Sequence, residues 1–268
     1  MSNSPLVTYT NISKNRTSPR KHKIDTITIH CYVGQITAKR GCDYFATTDR
    51  QVSANYVVGY DGSIGLSVDE KDRSWCTGGK DKNGNPIRVN GISGGDNDHR
   101  AVTIEVASDT KDPYTITDKA YKALVNLVAD ICKRNDIKEL KWQGKKSLVG
   151  QVDKQNMTVH RWFANKACPG DYLYNLHGQI AKEVNTKLAP AVTKPDVLYR
   201  VQSKPFRYKK DAVTLQLKLN NAGFKTCLVK VGSYTAVQTG AYKNKTNADG
   251  MLKKLKNAGF DMQITTSK

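Results

Sequence analysis

The sequence predicts an α/β protein with a mixed central sheet flanked by helices, followed by a small α+β domain. Two observations predict the larger domain: short strand-like segments recur between residues 24 and 107, and segments with helical periodicity follow them. A repeat near the carboxyl end predicts the smaller one. Because residues 188–196 contain two prolines and little bulk, we expect them to link domains at 1–187 and 197–268.

The first strands are predicted from the alternation of polar and apolar residues. An apolar run ends at His30, and Thr26, Thr28 and His30 share one face of this strand while apolar side chains share the other. Residues 53–58 and 63–67 flank a Tyr-Asp-Gly turn, which predicts a β-hairpin.

The next segments alternate between loops, strands and helices. Residues 78–95 are rich in Gly, Asn, Asp and Lys and are expected to form a long loop, whereas 101–107 predict a short strand. Thr117 can cap a helix whose apolar residues follow at helical spacing. Residues 142–165 are expected to be loop-rich, and a further helix is expected over 171–184.

The tail contains an internal repeat with an offset of 36 residues. Val201-Gln202 recurs as Val237-Gln238, and the Asn-Ala-Gly-Phe segment 221–224 recurs as 257–260. Each copy has the pattern strand, helix, glycine stop, strand. Two copies give a βαββαβ order, the ferredoxin-like arrangement, and are too few for a solenoid.

Charge and cysteine content limit the possible partners and compartment. Of the net charge of +19, residues 191–268 carry +11, from 15 Lys and Arg against 4 Asp and Glu. Such a tail suits a polyanion: nucleic acid, anionic lipid or an anionic cell wall. Six dispersed cysteines favour a reducing compartment, and neither a signal peptide nor a membrane span is expected.

Three side chains could form a metal site. His30 ends a strand, and His160 and Cys168 lie close together far downstream. Two imidazoles and a thiolate suit Zn²⁺, and three protein ligands leave a fourth position for water, as in catalytic zinc sites. Alone, each residue has a structural explanation, since single histidines are often structural and cysteines are often small buried apolar residues. Together they predict a zinc hydrolase.

At these residues the first domain resembles the zinc-dependent N-acetylmuramoyl-L-alanine amidases, which include phage lysozyme-type amidases and peptidoglycan recognition proteins. The resemblance covers about residues 20–185. It is carried by segments 28–30, 53–62, 101–106 and 160–171, and the last of these is the most specific.

The resemblance implies both a reaction and the residues that perform it. His30, His160 and Cys168 would be the zinc ligands, Glu105 the catalytic glutamate, and Lys166 a lysine that stabilises the transition state. The substrate would be peptidoglycan, cleaved by zinc-activated water at the amide between N-acetylmuramic acid and L-alanine. A phage endolysin that lyses its bacterial host fits this reading; it would be made in the host cytoplasm and reach the wall after release.

Several positions qualify this interpretation. Glu105 could instead belong to a solvated strand face, and Lys166 could be an ordinary surface lysine. Some family members carry a catalytic tyrosine where Ala54 stands, so the resemblance implies a glutamate-dependent variant. Many carry histidine in place of Asn55 or Cys76. Of the remaining histidines, His99 is a candidate substrate contact in a polar loop, and His22 and His177 are expected at the surface.

The tail resembles SPOR domains over about residues 197–267, through segments 234–243 and 255–260. This resemblance implies binding to peptidoglycan glycan strands. Two alternatives remain open. One is a non-catalytic peptidoglycan-binding protein, against which the presence of Cys168 argues. The other is a nucleic-acid-binding tail, which is less favoured because no segment resembles the aromatic motif of RNA-recognition domains.

Overall fold

The computed structural model describes residues 2–189 and 197–266. The chain divides after Pro190 into two compact units, Met1–Pro190 and Ala191–Lys268. Most of the predicted linker, residues 190–196, lies outside the described residues.

The first unit is built on a six-stranded sheet. The strands of the whole unit are β1 (Tyr9–Thr10), β2 (Arg16–Thr17), β3 (Thr26–Cys31), β4 (Tyr56–Val58), β5 (Ile64–Leu66), β6 (Arg73–Ser74), β7 (Arg88–Val89), β8 (Ile92–Ser93), β9 (Ala101–Val106) and β10 (Met157–Thr158). Of these, β2 pairs with β6 and β7 pairs with β8 in two small separate sheets. Its helices are α1 (Ala38–Thr47), α2 (Gly94–Arg100), α3 (Asp118–Arg134) and α4 (Gly170–Leu188). The order in the sheet is β1-β5-β4-β9-β3-β10, in which only the β4–β5 pair is antiparallel. The predicted mixed α/β class is confirmed.

Helices cover both faces of this sheet. Tyr56 and Val58 of β4 belong to the main core, with the apolar stripe of α3, whereas Val57 on the other face packs with α1 through Phe45. Because β3, β4 and β9 lie between helices, nearly all their residues are buried. Each fully buried large apolar side chain contributes roughly 1.5–3 kcal/mol to folding.

The predicted helix after Thr117 is confirmed. The Thr117 side chain caps α3 by accepting a hydrogen bond from Ala120 N at 3.1 Å. The helix expected over 171–184 is confirmed as α4, and the predicted hairpin is β4–β5.

Two parts of the first unit differ from the sequence-based expectation. Residues 78–95 are not one long loop, because they contain the β7–β8 hairpin and the start of α2. A reciprocal capping box between Ser93 and Asp96 begins α2, a helix too short and too polar to show apolar periodicity. Helix α1, capped by Thr37, was also not predicted.

His177 was expected at the surface, and this was wrong: its side chain is fully buried in α4. Its ring contacts Trp142, which stacks on Trp162. Its Nδ1 hydrogen-bonds to the Leu173 carbonyl at 2.7 Å, which makes Nδ1 the protonated nitrogen, and Nε2 has no partner. Burial, with a smaller effect from Arg161, lowers the pKa of His177 to about 4, although the bond to Leu173 opposes this.

This burial predicts a pH-dependent stability. Between pH 6.5 and about 4 the unfolded chain binds a proton at His177 that the folded chain excludes, so stability falls as the pH falls. The full difference corresponds to roughly 3 kcal/mol. Denaturant unfolding of wild type and His177→Gln between pH 7 and 4.5 should give a steeper loss for wild type. Equal slopes would show that His177 has the same pKa in the folded and unfolded states, which would contradict the lowered value.

The second unit is a four-stranded antiparallel sheet covered by two helices. Its elements are β11 (Tyr199–Gln202), α5 (Lys209–Asn221), β12 (Cys227–Val231), β13 (Tyr234–Tyr242), α6 (Lys245–Asn257) and β14 (Gln263–Thr266). The sheet order β12-β13-β11-β14 is that of a ferredoxin-like fold, which confirms the predicted βαββαβ arrangement.

The sequence repeat coincides with the core of this unit. Three pairs of fully buried residues are each separated by the repeat offset: Val201 and Val237, Ala212 and Ala248, and Leu219 and Leu255. The two glycines that end the helices, at 223 and 259, have φ values of +85° and +83°, a conformation that favours glycine. The two halves therefore bury equivalent positions against one another.

Within residues 2–189 and 197–266, no helix is both long enough and apolar enough to span a membrane.

Candidate active site

The candidate site lies at the carboxyl ends of the central parallel strands. In the register of β3 and β9, His30 is the direct partner of Glu105. His160 begins a short 3₁₀ turn just after β10, the strand next to β3, and Cys168 lies two residues before α4. Parallel strands end at the same edge of a sheet, so the topology brings together side chains that are up to 138 residues apart.

The three predicted ligands meet at one point. One donor atom from each of His30, His160 and Cys168 lies within 4.8 Å of the other two. His30 Nδ1 is 3.4 Å from Cys168 Sγ. Tetrahedral zinc with bonds of about 2.1 Å to nitrogen and 2.3 Å to sulfur would separate these atoms by roughly 3.5 Å. The observed spacing therefore fits a shared ion.

The two imidazoles are oriented by bonds at their other nitrogens. His30 Nε2 lies 3.4 Å from the Thr77 hydroxyl, which leaves Nδ1 facing Cys168. The His160 ring bonds to the backbone of Gly78, while its Nε2 is buried without a partner. Burial lowers the pKa of both rings, so both are neutral at pH 7, the form that binds metals. An unpartnered buried nitrogen beside a thiol and a second imidazole fits a metal site.

Glu105 points into the same cluster. Its Oε1 lies 4.0 Å from His30 Nδ1 and accepts a hydrogen bond from the Cys76 thiol at 3.7 Å, while Oε2 is buried without a partner. Burial, and secondarily the nearby Cys31, raises the pKa of this carboxyl well above its usual value. The raised pKa increases its affinity for a proton, and a bound cation would oppose that shift.

Lys166 occupies an exposed position on the segment between His160 and Cys168. Its charge helps to lower the pKa of His160, an effect smaller than that of burial.

A cavity of about 290 Å³ opens beside Glu105 and His160. Its walls include the aromatic side chains of Tyr32, Tyr44, Phe45 and Trp75. Such a wall can pack against the apolar faces of a substrate while the polar groups at its base act on a bond.

The structure adds residues that the sequence did not reveal. Cys31 follows His30 at the end of β3 and therefore points to the opposite face of the strand, yet its thiol hydrogen-bonds to Cys168. Thr77 contacts His30, and Asp98 contacts the backbone of the loop that contains Thr77. No pattern in the sequence pointed to either residue. His99 is not brought to the site: it precedes β9 at the amino end of that strand and bonds to Lys21 N.

Fold and site together define a class of protein: a mixed α/β domain with a His–His–Cys donor set and a carboxylate at its strand ends, suited to metal-assisted hydrolysis. Residues 20–171 match the family model for N-acetylmuramoyl-L-alanine amidase, and the chain therefore belongs to that family. This family is typically zinc-dependent.

Three solved structures illustrate what the chain is similar to. The structure of PlyL is 14% identical, with 66% of this chain and 95% of that chain covered and a TM-score of 0.43. A selenomethionine derivative of AmpD is 18% identical, with 66% and 96% covered and a TM-score of 0.45. The peptidoglycan-binding domain of the Bacillus subtilis cell wall lytic enzyme CwlC is 32% identical, with 30% and 100% covered and a TM-score of 0.26. A comparison with curated proteins found no match.

Proposed function

We propose that the protein is a zinc-dependent peptidoglycan amidase in which His30, His160 and Cys168 hold the metal. Glu105 is the general base and acid, and Lys166 supports the transition state. The observation that carries the proposal is the pair of buried unpartnered atoms, His160 Nε2 and Glu105 Oε2, beside the remaining donors. Buried polar atoms are normally paired, so two unpartnered atoms in one cluster support a metal ion and its water as their partners.

The bond cleaved would be the amide between the lactyl group of N-acetylmuramic acid and L-alanine. A zinc ion in this site would polarise the scissile carbonyl and acidify a water molecule. Glu105 removes a proton from the attacking water as the new C–O bond forms. The same carboxyl then protonates the amine of L-alanine as the C–N bond breaks.

Lys166 is suited to a supporting role. Its exposed side chain lies near His160, from where the ammonium group can approach the oxygen on which negative charge develops. A positive charge placed there stabilises the tetrahedral transition state more than the ground state.

Digestion of purified peptidoglycan tests the activity. Treatment with the intact protein should release fragments with new amino-terminal alanine, identified by mass analysis, and a chelator should abolish the release until zinc is added back. New reducing ends would instead identify a glycosidase. Binding of the wall without any cleavage by zinc-loaded protein would favour the non-catalytic peptidoglycan-binding alternative.

We further propose that the tail, residues 197–268, is a SPOR-like wall-binding domain and that the whole chain acts as a phage endolysin. The net charge of +11 over residues 191–268 would add long-range attraction to an anionic wall. In this proposal the protein is synthesised in the host cytoplasm and acts on the wall after release.

The tail proposal predicts which polymer it binds. A protein lacking residues 191–268 should sediment less with insoluble peptidoglycan than the intact chain, while it still cleaves soluble wall fragments. Binding of the intact chain should weaken between 0.1 and 1 M salt, because the Debye length falls from about 10 to about 3 Å, but it should not vanish. Equal sedimentation of both proteins, or binding that is confined to RNA, would contradict the proposal.

A further inference from the structure

A short loop contacts Glu105 and both histidines of the donor set, but not Cys168. We call residues 76–78 the contact loop. The Cys76 thiol donates to Glu105 Oε1 at 3.7 Å, and the Thr77 hydroxyl lies 3.4 Å from His30 Nε2. The backbone of Gly78 bonds to the His160 ring. Three consecutive residues thus face the candidate base and both imidazoles.

The contact loop is held in place by a carboxylate on α2. Oδ2 of Asp98 accepts hydrogen bonds from the backbone N–H groups of both Cys76 and Thr77, each at 2.9 Å. The Asp98 side chain is fully buried. Because two consecutive N–H groups share this one acceptor oxygen, the double contact holds the loop in one position.

Close backbone contacts fix the same loop from two sides. A Cβ added at Gly94, the first residue of α2, would lie 2.1 Å from the Thr77 carbonyl oxygen. A Cβ at Gly79 would lie 2.4 Å from Ala164 Cβ, on the segment that follows His160. Both glycines permit a close approach that a Cβ would prevent, at Thr77 within the loop and directly after the loop at Gly79.

We infer that Asp98 is a positioning residue for the metal centre and for Glu105, and that it acts through the contact loop. The inference rests on the proposed function. Metal-binding histidines generally use their second nitrogen to bond a protein group, which fixes the ring, and the loss of such a partner costs about 10–100-fold in metal affinity or activity. Thr77 supplies this partner for His30 and Gly78 supplies it for His160. Asp98 holds the backbone N–H groups of Thr77 and of Cys76, the residue before it.

The test compares matched variants of the intact protein. Asp98→Ala should reduce zinc affinity, measured by competition with a chelator, by about 10–100-fold, and should lower kcat more than it raises KM. Asp153→Ala removes the same charge from an exposed position outside α2 and the cluster, and should leave zinc affinity unchanged. Asp98→Asn keeps an acceptor oxygen and should give an affinity closer to wild type than Asp98→Ala does.

A second variant covers the case in which Asp98→Ala does not fold. Thr77→Val preserves shape and removes the hydroxyl facing His30, so zinc affinity should fall and the absorption bands of the cobalt-substituted protein should shift. If folded Asp98→Ala has the zinc affinity and the cobalt spectrum of wild type, the inference is overturned. If only Thr77→Val folds, the same result in that variant overturns it. An absence of zinc binding in wild type would instead overturn the proposed function.

Discussion

Glu105→Gln should retain the fold and bound zinc yet lose about 10²–10⁴-fold in amidase turnover, the usual contribution of a general acid–base group. The change preserves the size of the side chain and removes its ability to take a proton. At this position the carboxyl lies 4.0 Å from His30 Nδ1 and has one oxygen without a partner. Turnover on soluble wall fragments, with metal content measured on the same samples, provides the check.

The matched control is Glu139→Gln, because Glu139 is an exposed glutamate outside the cluster. It should have wild-type turnover. Near-normal turnover in zinc-loaded Glu105→Gln would show that Glu105 is only a polar residue on the face of β9. Another group in the cavity would then have to be the proton acceptor.

Cys168→Ser should lose both zinc and activity. A thiolate is a stronger zinc ligand than a serine hydroxyl, which stays protonated at neutral pH. Loss of a residue that only hydrogen-bonds to a metal ligand typically lowers metal affinity by about 10–100-fold. Because Cys168 is itself a proposed ligand, we expect a larger loss. Atomic absorption after dialysis should find about one zinc ion per wild-type chain and little in the variant.

Cys227→Ser is the control for thiol loss, because Cys227 is an exposed free cysteine in the second unit. It should keep its zinc and its activity. Equal zinc content in wild type and Cys168→Ser would remove Cys168 from the ligand set. His30, Cys76 and Glu105, whose donor atoms also lie within 4.8 Å of one another, would then be the candidates for the site.

Much of the site could be predicted because its members lie on regular strands or in a compact motif. Alternation placed His30 on the polar face of its strand, and the family resemblance singled out Glu105; the parallel register that makes the two residues neighbours came from the structure. His160 and Cys168 are eight residues apart and carry a recognisable pattern. Neither observation required knowledge of how loops cross the sheet.

The surroundings of the site could not be predicted in this way. Asp98 contacts a loop about 20 residues earlier in the chain, and it lies on a helix that shows no apolar periodicity. His177 was misplaced because a single polar residue on an amphipathic helix gives no indication of the aromatic side chains that will cover it. Its burial depends on Trp142, which comes from a loop with no periodic pattern.

The sequence by itself therefore determined the chemistry of the donors, the faces of the strands and the symmetric core of the tail, because these depend on residue type and on local periodicity. Only the tertiary structure decided which atoms are left without partners and which loop orients the imidazoles. Those features depend on approaches of a few ångströms between segments far apart in the chain, such as Gly94 against Thr77. Local periodicity reports the direction of a side chain, whereas packing decides what that side chain meets.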